Sequence, residues 1–227
     1  MIVYEKLVNY CETKCIKMIR GYFMKGTKDF YNKTAAEWAN KWYEDEALLP
    51  YLKEFINYLP QNPRILDLCC GAGYESMRMK KLGADVTGLD FSEESIRIAK
   101  ERNPDIKFVV EDMLNNYSYI GKFDGCAVIA GLVHLPNGKL SKAFEQIYKI
   151  LNDGGFLFVA VKDGIGKSEK SSYTTIHGKD YDRDFYLHTL EELKLYSLEK
   201  FDFVKELLIE KEASWKYYIF KKRILTN

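Results

Sequence analysis

The sequence predicts an α/β fold: a mostly parallel, seven-stranded sheet with helices on both faces, an N-terminal helical extension and a C-terminal antiparallel hairpin. Three observations predict it. The apolar run Ile65–Cys70, carrying the single acid Asp67, ends at Gly71 and Gly73 and gives way to a helical pattern. That order describes a buried parallel strand, a tight turn and a helix N-terminus with unpaired N–H groups. Downstream, strand-like and helix-like runs alternate, which requires crossover connections and a parallel sheet. The tail then changes character, with β-branched and aromatic runs at 203–210 and 214–222 around a short polar turn.

Taken in order, the apolar residues Val3, Leu7, Cys11, Cys15 and Met18 recur at helical spacing, predicting an amphipathic helix over 2–19. Thr34 followed by Glu37 is a capping-box pattern opening a second helix. Pro50 restarts a helix through Tyr58, and Pro60 with Pro63 ends it. Residues 1–60 therefore read as a helical cap and 61–227 as the main domain. Strands are expected at 64–69, 84–89, 106–110, 123–130 and 155–161. Helices are expected at 74–82, 92–102, 139–151 and 189–198, with Ser92 and Thr189 as N-caps. Lys162–Asp184 reads as a long polar loop, and a loop of that length in a compact domain is usually functional.

Composition excludes several classes. The chain has 227 residues and a formal net charge of +1, so no broad field draws it to nucleic acid or anionic membrane. No apolar run approaches the roughly 20 residues of a membrane span. Charges at Glu5, Lys6, Glu12 and Lys14 argue against a secretory signal. Among five cysteines, Cys69, Cys70 and Cys126 sit in apolar strand runs, as small buried hydrophobes do. Cys11 and Cys15 lack a second pair at metal spacing, so no metal is expected, and a reducing cytoplasm fits.

The glycine turn bears on chemistry. A dinucleotide fingerprint needs a third glycine where this chain has Ser76, which argues against a dehydrogenase. Asp90 closes the second strand roughly 20 residues after the turn, where an acid can accept both ribose hydroxyls. Asp112 follows the third strand. Together with Lys122–Pro136 and Leu151–Phe158, these residues resemble, in order over about 30–222, the motifs of the small-molecule branch of class I S-adenosylmethionine-dependent methyltransferases, a Rossmann-like fold. Cys69 stands where that family usually has glycine.

The resemblance implies S-adenosyl-L-methionine as cofactor and S-adenosyl-L-homocysteine as product. It implies that Gly71 and Gly73 admit the cofactor to the backbone, that Asp67 faces its amino-acid end, and that Asp90 binds the ribose. Phe91, Asp112 and Met113 would recognise adenine, with Ala130 just past the fourth strand. Tyr31 and Trp38 resemble the aromatic stretch that closes over the methionine part. The expected reaction (EC 2.1.1.-) is in-line transfer to an O, N or other heteroatom of a small molecule, which needs positioning more than any other aid. His134 is the candidate base where the nucleophile arrives protonated. Tyr173, His177 and Arg183, within the variable segment 162–186, are candidate substrate contacts. The alternatives are a non-catalytic binder of the cofactor and an RNA or protein methyltransferase; neither the Asn/Asp-Pro-Pro-aromatic box nor a Pro-Cys nucleophile nor a basic face supports nucleic acid. A monomer or homodimer is expected.

Overall fold

The computed structural model describes residues 26–168, 173–176, 179–208 and 214–224. The helix expected over 2–19 lies outside them. The described chain begins in α1 (26–42), followed by α2 (Leu49–Ile56). Then come β1 (Arg64–Leu68), α3 (Tyr74–Lys81), β2 (Asp85–Asp90), α4 (Glu93–Arg102), β3 (Lys107–Val110), β4 (Phe123–Ile129), α5 (Asn137–Ile150) and β5 (Leu151–Lys162). Short strands β6 (Gly166–Lys167), β7 (Tyr173–Ile176), β8 (Lys179–Asp182) and β9 (Tyr186–Leu187) precede α6 (Leu190–Ser197), β10 (Phe201–Glu206) and β11 (Trp215–Lys222).

The main sheet has the order β10-β11-β5-β4-β1-β2-β3. β1 pairs in parallel with both β2 and β4, and β11 runs antiparallel between β5 and β10. Strand order therefore reverses at β1, leaving a crevice beyond the carboxyl ends of β1 and β4, where doubly wound sheets bind ligands.

Alternation along the strands builds two apolar layers. Leu66, Leu68, Cys126, Val128, Leu157 and Val159 pack with Leu140, Phe144 and Ile147 of α5 and Leu193 of α6. On the opposite face Ile65, Val86, Phe108, Ala127 and Phe158 pack with Leu52 and Phe55 of α2, Met79 of α3, and Ile96 and Ala99 of α4. A smaller cluster matters most for function. Ala35 and Ala39 of α1 lie against Ala72 of the glycine turn and Ile98 of α4. Small side chains let α1 sit close over the turn.

The expected parallel strands, the hairpin and four helices form within a few residues of their expected limits. Ser92 caps α4 by accepting from Ser95 N at 3.1 Å, and Thr189 opens α6 in a reciprocal capping box with Glu192. Three expectations need correction. Thr34 does not open a helix: it lies inside α1, where its Oγ1 donates to the Phe30 carbonyl at 2.8 Å, and such back-bonding satisfies a threonine in mid-helix. The fifth strand begins at Leu151, directly after α5, because Leu151 pairs with Phe123 ahead of an irregularity in the β4–β5 ladder. Within 162–184 the described residues form strands rather than one continuous loop. β6 pairs with β9 and β7 with β8, both antiparallel, so backbone pairing gives this polar stretch its form.

Gly73, the N-cap of α3, adopts φ +79°, and a Cβ there would lie 2.8 Å from the Phe108 ring and 3.1 Å from Ala99 Cβ. Gly73→Ala thus combines left-handed strain with overpacking. It should destabilise the fold by about 1–3 kcal/mol, read as a lower urea midpoint at unchanged slope; an unaltered midpoint would contradict this account.

Candidate functional site

The site is built on the exit of β1. Cys69 N and Cys70 N both donate to the Leu89 carbonyl, at 2.7 and 3.1 Å, which carries the β1–β2 pairing into the turn. Gly71 follows at φ +53°, and its N–H donates to Asp90 Oδ2 at 2.9 Å. The other oxygen of Asp90 accepts from Ser92 N at 2.9 Å. One buried carboxylate thereby ties the glycine turn to the start of α4.

Cys69 itself lies at φ +64°, which explains why a glycine is common at this position. The thiol packs 3.6 Å from Met113 Sδ.

Asp67 is buried on β1 and accepts from Ser76 Oγ at 2.5 Å. Ser76 therefore has its own task where a dinucleotide motif would have glycine. Three acids are pushed upward here, each chiefly by burial. Asp67 rises to about 7 despite its Ser76 bond, Asp90 to about 6 despite its backbone donors, and Glu75 to about 7 despite Arg78. Desolvation of the charged form outweighs the local donors.

These residues open on a cavity of about 540 Å³ beyond the ends of β1, β4 and β5. Asp67, Gly71 and Glu75, Tyr31 and Trp38 from α1, and Ala130 and His134 beyond β4 line it. Ala130 holds φ +54° and donates its N–H to the Ala160 carbonyl at 3.0 Å. Arg183 and Phe185 come from the segment after β8, and Trp215 and Tyr217 from β11.

A four-residue network closes one wall. The Asp184 carbonyl can only accept, so His134 donates to it from Nδ1 (2.6 Å) and is left with a lone pair on Nε2. Tyr31 donates its hydroxyl to that lone pair at 2.9 Å and accepts from Arg183 Nη1 at 2.7 Å. The Arg183 guanidinium lies 4.9 Å from the Phe30 ring, 5.1 Å from Trp38, 5.4 Å from Phe185 and 5.7 Å from Tyr31, an aromatic box that suits a cation. Burial, and then the Arg183 charge, push His134 down to about 3.

Of the residues singled out in the sequence, Tyr31, Trp38, Asp67, Gly71, Ala130, His134 and Arg183 share the cavity. Gly73, Asp90, Phe91, Asp112 and Met113 lie outside its lining, at the turn and at the ends of β2 and β3. Asp112 accepts from Leu114 N at 2.8 Å, a local turn bond, and Phe91 lies 6.4 Å from the Tyr31 ring. Tyr173 belongs to β7, and His177 lies outside the described residues. Sequence reasoning missed Glu75, Phe185, Trp215 and Tyr217. An acid in the first turn of a helix looks like a dipole partner, and aromatic residues at a strand start look like core.

Residues 65–155 match the family described as methyltransferase domain. A ubiquinone biosynthesis O-methyltransferase of Shewanella halifaxensis is 26% identical over 162 residues, 66% of this chain and 66% of that protein. A demethylmenaquinone methyltransferase of Paenarthrobacter aurescens is 32% identical over 97 residues, 43% of this chain and 38% of that protein. The chain thus spans between about two fifths and two thirds of the length of these curated relatives. In fold it is similar to the structure titled DhpI-SAH complex, with a TM-score of 0.70 at 17% identity over 88% of this chain and 97% of that one. The segment 65–155, carried on the seven-stranded sheet, is thus similar to a methyltransferase domain.

Proposed function

We propose that this protein transfers the methyl group of S-adenosyl-L-methionine to an O, N or other heteroatom of a small molecule. The observation that carries the reading is the glycine turn, held open by Asp90 and facing the cavity at the strand-order reversal. The residues present fit that cofactor. Gly71 offers bare backbone, Asp67 is a buried acid without enough local cations to hold it ionised, and the ligand supplies a cation. Asp67 and the glycine turn would hold the amino-acid end, Asp90 the ribose, and Phe91, Asp112 and Met113 the adenine. When bound, the cofactor supplies an electrophilic methyl group on a sulfonium.

The chain's own part is to position and to exclude water. Tyr31, Trp38, Phe185 and Trp215 wall the cavity with rings, and aligned reactants gain about 7–11 kcal/mol from positioning alone. His134 is the candidate base. Both its nitrogens are engaged, so an acceptor proton reaches Nε2 only past or through the Tyr31 hydroxyl. With its basicity depressed, His134 favours acceptors that are acidic or already anionic. The relatives that act on quinone precursors support a small-molecule acceptor. Arg183 is the substrate contact that borders the cavity, with Tyr173 and His177 in the same segment of the chain. Free thiols at Cys69, Cys70 and Cys126 suit the cytoplasm, and no helix among the described residues is long and apolar enough to cross a membrane. The proposed assembly is a monomer or homodimer.

Methyl-labelled cofactor supplied with a metabolite extract should label a small molecule, and transfer to nothing would leave only the non-catalytic reading. Asp90→Ala should abolish S-adenosylhomocysteine binding in calorimetry; undiminished affinity would remove the ribose role. His134→Ala should slow turnover by about 10²-fold at pH 7 with cofactor affinity intact, whereas a wild-type rate would remove it as base.

The pH dependence has a definite sign. Asp67, Glu75 and Asp90 have pKa values above their ordinary ones, so the ligand-free fold retains protons that the unfolded chain has released. Their contribution makes ligand-free stability fall as pH rises from about 4 through about 7. Affinity for the cationic cofactor should correspondingly rise between pH 6 and pH 8, with proton release measurable by calorimetry in buffers of different ionisation enthalpy. A flat profile would show that Asp67 and Glu75 do not face the cation.

A further inference from the structure

The chain has three tryptophans, and Trp38, Trp42 and Trp215 all line the same cavity. Each is half-buried rather than sealed in the core. A tryptophan that only fills a core hides its ring, because so large an apolar surface is costly to leave in water. Three rings left partly open around one hollow are what a surface kept for an apolar ligand requires. At about 540 Å³ the cavity falls within the range of small-molecule sites.

Sheet order separates these rings from the expected cofactor contacts. The strand residues on the lining belong to β1, β4, β5 and β11, and none to β2 or β3. β2 and β3 lie on one side of β1, and β4, β5 and β11 on the other. The ribose and adenine contacts assigned above follow from the ends of β2 and β3, so the part of the cavity over β5 and β11 is left for a second ligand. Pairing register sets Ile129 opposite Ala160, and Ala160 opposite Tyr217. Partners in such a row share one face of the sheet. All three line the cavity, and the small Ala160 makes a low point between two larger residues.

Other rings fix the ones that border this row. Tyr51 lies against Tyr217 with ring centroids 3.9 Å apart, and Phe185 meets Trp215 edge-on at 6.5 Å. Trp42 lies nearly parallel to Trp38, with 7° between the ring planes. Rings already held by packing lose little freedom when a ligand arrives, and flat aromatic partners gain affinity beyond the area they bury. Lys41 and Arg183 both attend the Trp38 ring, at 5.2 and 5.1 Å, so Trp42 and Trp215 are the better partners for stacking.

We propose that the part of the cavity over β5 and β11 receives a planar aromatic ring system, held by Trp42 and Trp215 against the row Ile129–Ala160–Tyr217. The inference rests on the methyltransferase reading in one respect: the ring system is then the body of the methyl acceptor. Flatness is the property the site selects. A saturated body with the same carbon skeleton buries similar apolar area but cannot stack on the indoles.

The test is calorimetry on the full chain with 2-naphthol against decahydro-2-naphthol, its saturated counterpart, with and without S-adenosylhomocysteine. The wild type should bind 2-naphthol about tenfold more tightly than decahydro-2-naphthol. Trp42→Leu and Trp215→Leu, which keep apolar bulk and remove the ring, should each cut that preference to about threefold or less. Affinity for S-adenosylhomocysteine should stay within about twofold of wild type in both. Trp42→Leu, at the end of α1, decides the matter if a melting curve shows that Trp215→Leu does not fold. Equal affinity for the two probes, binding of neither, or a preference unchanged in the variants overturns the proposal. A wild type that prefers 2-naphthol but does not bind S-adenosylhomocysteine upholds the aromatic site and overturns the cofactor reading instead.

Discussion

The Asp90 carboxylate, shared between the N–H of Gly71 and the N–H of Ser92, is the contact on which the rest of the site depends. It sits at the carboxyl end of β2, and it fastens a turn that leaves the neighbouring strand β1. Without it the turn would have to find another partner for a buried backbone donor. The Leu89 carbonyl already serves Cys69 and Cys70 just beneath, so the turn is held from both sides by β2. α1 then presses two alanines onto Ala72, which brings Tyr31 and Trp38 over the cavity. The order of events runs from a strand-end acid to a fixed turn, and from a fixed turn to a roofed cavity.

Charge is arranged around that roof in a consistent way. The cavity is lined both by acids that burial makes reluctant to ionise and by aromatic rings. The cation of Arg183 rests among the rings and helps keep the imidazole of His134 neutral. Arg183 also hydrogen-bonds Tyr31, so the segment after β8, α1 and the loop beyond β4 meet at one point. A ligand that engages any of the three bears on the other two.

Much of this was readable in the residues. The run Ile65–Cys70, the turn at Gly71 and Gly73, and Asp90 closing the next strand each fall where a parallel doubly wound sheet puts them. Burial on both faces gives continuous apolar runs, and such runs are hard to mistake when glycines end them. The misreadings have equally local causes. Thr34 and Glu37 mimic a capping box because three-residue spacing is the same inside a helix as at its start. The segment 162–184 looked like a loop because short antiparallel ladders between polar residues leave no hydrophobic alternation. Glu75 escaped notice for a different reason: only the folded chain shows that the first turn of α3 borders the cavity.

Cys69 carries a last consequence. Its left-handed backbone is a conformation in which a side chain is strained and glycine is not. Glycine, however, gives the unfolded chain more freedom to lose on folding. The thiol also packs against Met113, a contact that a hydrogen atom would not make. Strain in the native state acts against restriction of the unfolded ensemble and the contact with Met113 at a single residue. This is how a position that backbone geometry reserves for glycine tolerates a cysteine, and it makes the identity of residue 69 a matter of near balance.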